Sequence, residues 1–294
     1  MTNRRFAKLV EPAPAKVNLT LTVLGRRRDG YHSLDSLVAF ARFGDRLTLR
    51  PGGPLAFSLR GATAARAGEL DDNLVLKAAR ALAGEVPGLT LGRFLLEKRL
   101  PVAAGLGGGS SDAGAALRLL ARANRLALDD VRLRRAARRI GADVPVCVDP
   151  RPRRMRGIGE VLSGPLAVPK LAAVLVNPGV AVPTRDVFAI LGLKPGTMRK
   201  RAGPARALPG DREEFLAFLA RQPNDLEPAA IKLQPVIARV LTALGRAPGC
   251  RLARMSGSGA TCFGLFGSSR AAAAAARRIS AAHPRWWVKA TILG

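Results

Sequence analysis

The chain has 294 residues, 48% hydrophobic and 23% charged, with a mean hydropathy of +0.10; this excludes a disordered chain and suits one large domain or two closely packed ones. No run of eighteen apolar residues occurs, and the basic start MTNRRFAKLVEPAPAK has no long apolar segment, so the protein is expected to be cytoplasmic, neither exported nor inserted in a membrane. Lys and Arg number 48 against 21 Asp and Glu, a formal charge of +27, yet aromatic residues are 4% and the basic clusters follow no helix-turn-helix or zinc-finger spacing; the charge points to phosphorylated small molecules rather than nucleic acid.

From Ala15, KVNLTLTV alternates, which places Val17, Leu19, Leu21 and Val23 on one strand face and Lys16, Asn18, Thr20 and Thr22 on the other. A turn at RRRDG leads to Tyr31 and His32, then to two strands, 36–43 and 46–50, divided by a loop around GDR. DDNLVLKAARALAG, from Asp71, predicts a helix with Asp and Asn as caps, and 89–97 predicts a strand. The glycine-rich stretch PVAAGLGGGSSDAG at 101–114 then opens a helix with Ser110, Ser111 and Asp112 at capping positions, and a further helix runs from Asp129 to about Ile140. After GADVPVCVD come short strands around 153–163. Strands follow at 172–177, 251–254, 261–266 and 286–290, with helices near 184–191, 211–220, 225–244 and 270–282. A boundary is expected near 165, dividing domain 1–165, which carries the glycine loop, from domain 166–294. KPGTMRKRAGPARALPGD, from Lys194, predicts an exposed, mobile loop. Cys147, Cys250 and Cys262 follow no CxxC or Cys/His ligand spacing and read as reduced, small apolar side chains.

A strand, AGLGGGSS and a helix in succession gather backbone N–H groups at the positive end of a helix dipole, which is an anion site. Ser110 and Ser111 can add hydroxyls, one to a phosphate oxygen and one to a metal ion. The loop matches neither GxxxxGK[ST], for want of a lysine after the last glycine, nor GxGxxG, whose third glycine position holds Ser110. Taken alone it reads equally as a mobile glycine-rich turn.

PxAKVNLxL, the glycine loop and MSGSGATCF at 255–263, in that order, resemble the motifs of the GHMP kinase superfamily, relatives of galactokinase, homoserine kinase and mevalonate kinase. The resemblance implies a two-domain α+β fold, with an N-terminal α/β domain like ribosomal protein S5 and a C-terminal ferredoxin-like α+β domain. It also implies an ATP-dependent kinase using Mg²⁺, monomeric or homodimeric, with no membrane partner. GYHSL, DDNLVLKAAR, GADVPV, GIGE and NPGVAVPT extend the match over nearly the whole chain. They are similar to the branch that phosphorylates a tertiary hydroxyl of a cytidine diphosphate alcohol in non-mevalonate isoprenoid synthesis. Homoserine or mevalonate as acceptor, a basic nucleic-acid binder on a kinase scaffold, and a catalytically silent nucleotide sensor are the competing readings.

Carried over by position, Asp143 matches the catalytic base and Lys16 its partner lysine. Pro101, Gly105, Leu106, Gly107, Gly108, Gly109, Ser110 and Ser111 match the triphosphate loop, with Lys98 and Asn73 near the nucleotide. Tyr31, His32 and Phe188 match residues that hold the cytosine, and Asn18, Thr184 and Asp143 the polyol. The metal ligands are not assigned. From the residues alone, Asp143 and Asn73 are equally helix caps, Lys16 a solvated strand charge and Phe188 a core side chain. DPRPRRMRGIGE departs from the family pattern in Arg151, Arg153, Arg154 and Arg156, which are either solvated or add charge near the substrate diphosphate.

Overall fold

In the computed structural model, residues 7–66, 72–199 and 207–294 are described. The chain forms two compact units that interleave in sequence: the described part of Met1–Ala15, Gly44–Val102 and Gly107–Pro150 make the first, and Lys16–Phe43, Ala103–Leu106 and Arg151–Gly294 the second. The reading expects one boundary near 165, whereas the chain last passes between units at Arg151. Two strands change unit partway along: β1 (Leu9–Asn18) after Ala15, and β3 (His32–Pro51) after Phe43.

β3 is the first difference from the sequence reading, since the strands expected at 36–43 and 46–50 are one strand of 20 residues. Gly and Asp suggested a loop because both favour turns. Here Gly44 instead allows close approach, as a Cβ on it would lie 2.1 Å from the Ala13 carbonyl oxygen.

In the first unit the C-terminal half of β3 pairs antiparallel with β5 (Gly92–Glu97), Leu47 opposite Leu96. The other edge of β5 pairs in parallel with β4 (Ala56–Arg60), a short strand absent from the reading above. Among the described residues, four α-helices complete the unit: α1 (Leu74–Glu85), α2 (Gly108–Ala123), α3 (Val131–Ile140) and α4 (Val144–Val148). Apolar residues at helical spacing put Leu82, Leu117, Leu120 and Leu133 in one core with Leu47, Phe94 and Leu96, where each buried side chain contributes about 1.5–3 kcal/mol. Arg118 on α2 braces the unit from inside: its guanidinium donates to the Pro12 carbonyl at 2.5 Å and the Cys147 carbonyl at 2.7 Å, and pairs with Glu11 at 3.1 Å.

In the second unit β2 (Thr22–Arg26) and β6 (Arg153–Gly157) both pair antiparallel with the N-terminal half of β3, and β7 (Val161–Leu162) adds to β6. The rest is built on β8 (Leu171–Asn177), β9 (Cys250–Met255), β10 (Cys262–Phe266) and β11 (Trp287–Leu293), antiparallel in the order β11-β8-β10-β9. This order and its intervening helices are the ferredoxin-like βαββαβ arrangement. The helices are α5 (Thr184–Ile190), α6 (Arg212–Ala220), α7 (Glu227–Leu233), α8 (Val236–Gly245) and α9 (Ser269–Ala282). The single helix expected at 225–244 is therefore two, because Pro235 lacks the N–H that would continue α7. The loop from Lys194 is also tied down in part: Arg26 N–H donates to the Thr197 carbonyl and Arg199 N–H to that of Leu24, both at 2.8 Å. Its residues 200–206 lie outside the described ones.

All three cysteines are reduced; Cys147 and Cys262 are buried and Cys250 half-buried. Burial pushes the Cys250 thiol up, and burial with the Glu227 carboxylate pushes that of Cys262 well up. Among the described residues no helix is long and apolar enough to cross a membrane.

Candidate active site

The glycine loop enters α2 through Gly107, an N-cap in the left-handed region at φ 59° with no side-chain capping bond. The helix thus begins earlier than expected, and Ser110, Ser111 and Asp112 lie inside it rather than capping it. Its first intrahelical bond runs from Ser111 N–H to the Gly107 carbonyl at 2.8 Å, so the N–H groups of Gly108, Gly109 and Ser110 lie ahead of the ladder. No carboxylate occupies the first turn to compete with an anion. The two serines differ: fully buried Ser111 donates its hydroxyl to the Pro14 carbonyl at 2.7 Å, while Ser110 stays partly exposed.

Lys98 stands at the end of β5, and its ammonium pairs at 2.6 Å with both Asp45 and Asp112, all three side chains being buried. Asp45 also accepts the N–H groups of Arg99 at 2.5 Å and Leu100 at 2.8 Å. A Cβ on Gly108 would lie 3.3 Å from the Lys98 nitrogen. The residue expected near the nucleotide thus fastens the strand before the loop to the helix after it. Burial alone would lower Lys98, but the Asp112 and Asp45 carboxylates outweigh it and hold the ammonium above its ordinary value. Burial, against the pull of Lys98, pushes Asp112 up to about 7, and its Oδ1 is buried with no hydrogen-bond partner. The sequence reading missed both aspartates as partners of Lys98. The available signal was the lysine itself, because an ammonium at the end of a buried strand needs a counter-charge.

Asn73 caps α1, its side chain accepting Val75 N–H at 3.0 Å. Asp143 stands at the N-cap position of α4, half-buried, but makes no side-chain capping bond. Pro101, half-buried, opens the loop.

In the second unit the three motifs meet through hydrogen bonds. Ser256 Oγ accepts Asn18 N–H at 3.1 Å and donates to the Gly105 carbonyl at 2.9 Å, while Lys16 N–H donates to the Leu106 carbonyl at 2.9 Å. Gly105 has φ +73°, and a Cβ there would lie 2.4 Å from the Ser256 carbonyl oxygen, so both conformation and space call for glycine. Asn224 holds the MSGSG turn, donating to the Met255 carbonyl at 2.9 Å and the Gly257 carbonyl at 2.8 Å. The Lys16 side chain is buried, not a solvated strand charge. Ser256 and Asn224 escaped the sequence reading, as neither type is distinctive without its neighbours in space.

Of the residues matched to the acceptor, Asn18, Tyr31, His32, Thr184 and Phe188 lie in the same unit, and Asp143 lies in the first. His32 and Phe188 stack with ring centroids 4.4 Å apart and planes 19° from parallel, and adjacent Tyr31 is 61% exposed. Phe188 is half-buried at the margin of the core. His32 Nε2 is buried with no hydrogen-bond partner, and burial, then the Arg26 charge, lowers the imidazole below its ordinary value, so it is neutral at pH 7. Asn18 Nδ2 donates to Ser36 Oγ, and the hydroxyls of Thr184 and Ser258 bond each other, both at 2.8 Å. Of the arginines before GIGE, Arg151 and Arg156 are exposed, as the solvated reading expects, while Arg154 is buried and Arg153 half-buried. Arg156 donates to buried Asp35 at 3.0 Å, Arg154 lies 3.6 Å from the same carboxylate, and Arg153 donates to the Ser163 carbonyl at 2.7 Å.

Among the described residues no group of three or more His, Cys, Asp or Glu is placed to hold a metal ion. The α2 turn offers N–H groups and the Ser110 hydroxyl, a donor set that fits a cation carried mainly by phosphate oxygens and water rather than by a protein cage.

Comparison with known proteins bears on the family and the fold. Residues 73–149 match the model of the GHMP kinases N terminal domain, and residues 205–285 that of the GHMP kinases C terminal domain. The chain is 61% identical over 285 residues to a Xanthobacter autotrophicus protein named 4-diphosphocytidyl-2-C-methyl-D-erythritol kinase, covering 96% of this chain and 97% of that one. A Rhodopseudomonas palustris protein of the same name is 57% identical over 294 residues, covering 97% of this chain and 95% of its own. Among solved structures, a 4-(cytidine 5'-diphospho)-2C-methyl-D-erythritol kinase superposes with a TM-score of 0.78 at 38% identity, covering 97% of this chain and 99% of that one.

Proposed function

The chain belongs to the GHMP kinases, in the branch of the 4-diphosphocytidyl-2-C-methyl-D-erythritol kinases, and from that premise we propose how its residues divide the work. It transfers a phosphoryl group from ATP to the 2-hydroxyl of 4-diphosphocytidyl-2-C-methyl-D-erythritol, giving the 2-phosphate and ADP in non-mevalonate isoprenoid synthesis. The start of α2 binds the triphosphate, where each hydrogen bond from Gly108, Gly109 or Ser110 to a charged oxygen contributes about 1.5–3 kcal/mol. Ser110 would offer the loop's side-chain oxygen to Mg²⁺, which, when bound with the nucleotide, would supply charge neutralisation. Asp143 accepts the proton of the acceptor hydroxyl, and the Lys16 ammonium offsets negative charge at the reacting groups. Lys98 and Asn73 act by holding the loop and α1 in place. Reduced cysteines fit a cytoplasmic setting, as a monomer or homodimer.

In the geometry, the observation that carries the acceptor assignment is the buried, unpartnered His32 Nε2 beside the Phe188 ring. A flat base stacking on the aromatic residues would satisfy that nitrogen through its polar edge, and Asn18 and Thr184 are within the same unit to bind the polyol. Purified protein with ATP and Mg²⁺ should convert 4-diphosphocytidyl-2-C-methyl-D-erythritol to its 2-phosphate, with cytidine 5'-diphosphate competing for the acceptor. Comparable turnover of homoserine or mevalonate would defeat the assignment. Because burial, then the Arg26 charge, lowers His32 below its ordinary value, its imidazole gains its proton at lower pH than a free histidine does. The KM for the acceptor should therefore change little from pH 8 to 7 and rise as the pH falls into the acid range, while a KM independent of pH down to 5 would exclude His32 as the reader of the base.

A further inference from the structure

Outside the residues assigned to the kinase reaction, the second unit holds a cavity of about 240 Å³ at the C-terminal ends of α8 and α9. Close-packed helices leave few voids between them, but here the apolar lining includes Ala243, Ala247 and Ala282, each with a single methyl group, beside Pro248 and Ile279. The volume falls below the roughly 300–1,000 Å³ of sites for drug-sized ligands, which excludes a nucleotide and leaves room for one ring with a small head group.

The polar part of the lining is cationic. Arg246, the C-cap of α8, and Arg278, one turn before the end of α9, are both exposed, and no carboxylate lines the cavity. Each helix end carries about half a negative charge, which the two full guanidinium charges exceed. His283, the remaining polar residue of the lining, is held by stacking on Trp286, with ring centroids 3.7 Å apart and planes 13° from parallel.

We propose that this cavity binds a small phosphate monoester, with the phosphate between Arg246 and Arg278 and a ring-sized apolar body against the alanines, Pro248 and Ile279. One guanidinium fork is enough for the two oxygens of a carboxylate, whereas two forks from two helix ends match the three free oxygens of a phosphate monoester. Inorganic phosphate would leave the apolar lining in water, and an uncharged ring would leave the guanidiniums unused.

The proposal is independent of the kinase assignment and is tested on the full chain with phenyl phosphate. Titration calorimetry should show binding in the presence of saturating ADP and cytidine 5'-diphosphate, with inorganic phosphate, benzoate and phenol each at least tenfold weaker. Trp286 is one of two tryptophans in the chain, so the same titration should change the intrinsic fluorescence, because the ligand lies against the imidazole on which that indole stacks. Ala282→Leu, which fills the cavity with a good helix former at an exposed position, should weaken binding at least tenfold and leave kinase turnover unchanged. Arg278→Gln, which removes hydrogen bonds to a charged group, should weaken it at least tenfold too. The proposal is overturned by the absence of any heat of binding, by binding that leaves the fluorescence unchanged, or by an affinity untouched by either substitution. Loss of binding when ADP or cytidine 5'-diphosphate is added, or equal affinity for inorganic phosphate or benzoate, overturns it as well.

Discussion

Asp143→Asn should lower kcat by about 10²–10⁴-fold, the range that a general base contributes, while the dissociation constant for ATP changes little. The asparagine keeps the size and nearly the shape of the carboxylate but cannot accept the hydroxyl proton. Asp143 holds an N-cap position without using its carboxylate as a cap, so this substitution removes no capping bond from α4. A loss of rate without a loss of stability separates a chemical role from a structural one. Single-turnover kinetics at saturating acceptor, with thermal unfolding in parallel, makes the comparison; an unchanged kcat would remove Asp143 from the reaction.

Lys98→Met should have the largest effect on stability, a loss of about 3–5 kcal/mol, because it strands two buried carboxylates without their counter-charge. The loss also has a pH signature. In the folded protein Asp112 is raised to about 7 from 3.8, so the fold holds this proton more tightly than the unfolded chain does. That contribution to stability is present in full below about pH 4 and is lost as pH rises through about 7. Without the ammonium Asp112 is driven further toward its protonated form, so the deficit of Lys98→Met should grow between pH 5 and pH 8. Adding Asp112→Asn should recover part of it. Urea unfolding at the two pH values reads the effect, and a deficit independent of pH would show that the pairing is not what holds the loop. The same variant should raise the KM for ATP, since Lys98 joins β5 to the first turns of α2.

What could be read from the sequence was the local chemistry. Asn73 caps the helix that follows with a side-chain bond, as expected, because such a signal needs only three or four neighbouring residues. The glycine loop and the strand of Lys16 and Asn18 were equally clear, because glycine spacing and period-two alternation are local patterns. The failures were non-local. Gly44 and Asp45 have turn chemistry, yet Gly44 meets Ala13 and Asp45 meets Lys98, 53 residues away. Ser256 joins Gly105 across 151 residues and Asn18 across 238, so no window of sequence contains either pair. Pro235 was visible, but the long apolar periodicity on both sides of it outweighed one residue in the reading. The arginines before GIGE were recognised as a departure, though only the fold supplies Asp35 as their common partner.

The three cysteines bear on how this protein can be studied by spectroscopy. Cys147 and Cys262 are shielded from solvent, and the raised thiols of Cys250 and Cys262 remain protonated at neutral pH, where a thiol is a poor nucleophile. A maleimide or nitroxide reagent should therefore discriminate strongly in favour of a cysteine introduced at an exposed position such as Val161 or Met198. The unmodified chain already serves as the quiet background for site-directed labelling, and dyes or spin labels can follow each unit through the catalytic cycle without first replacing a native residue.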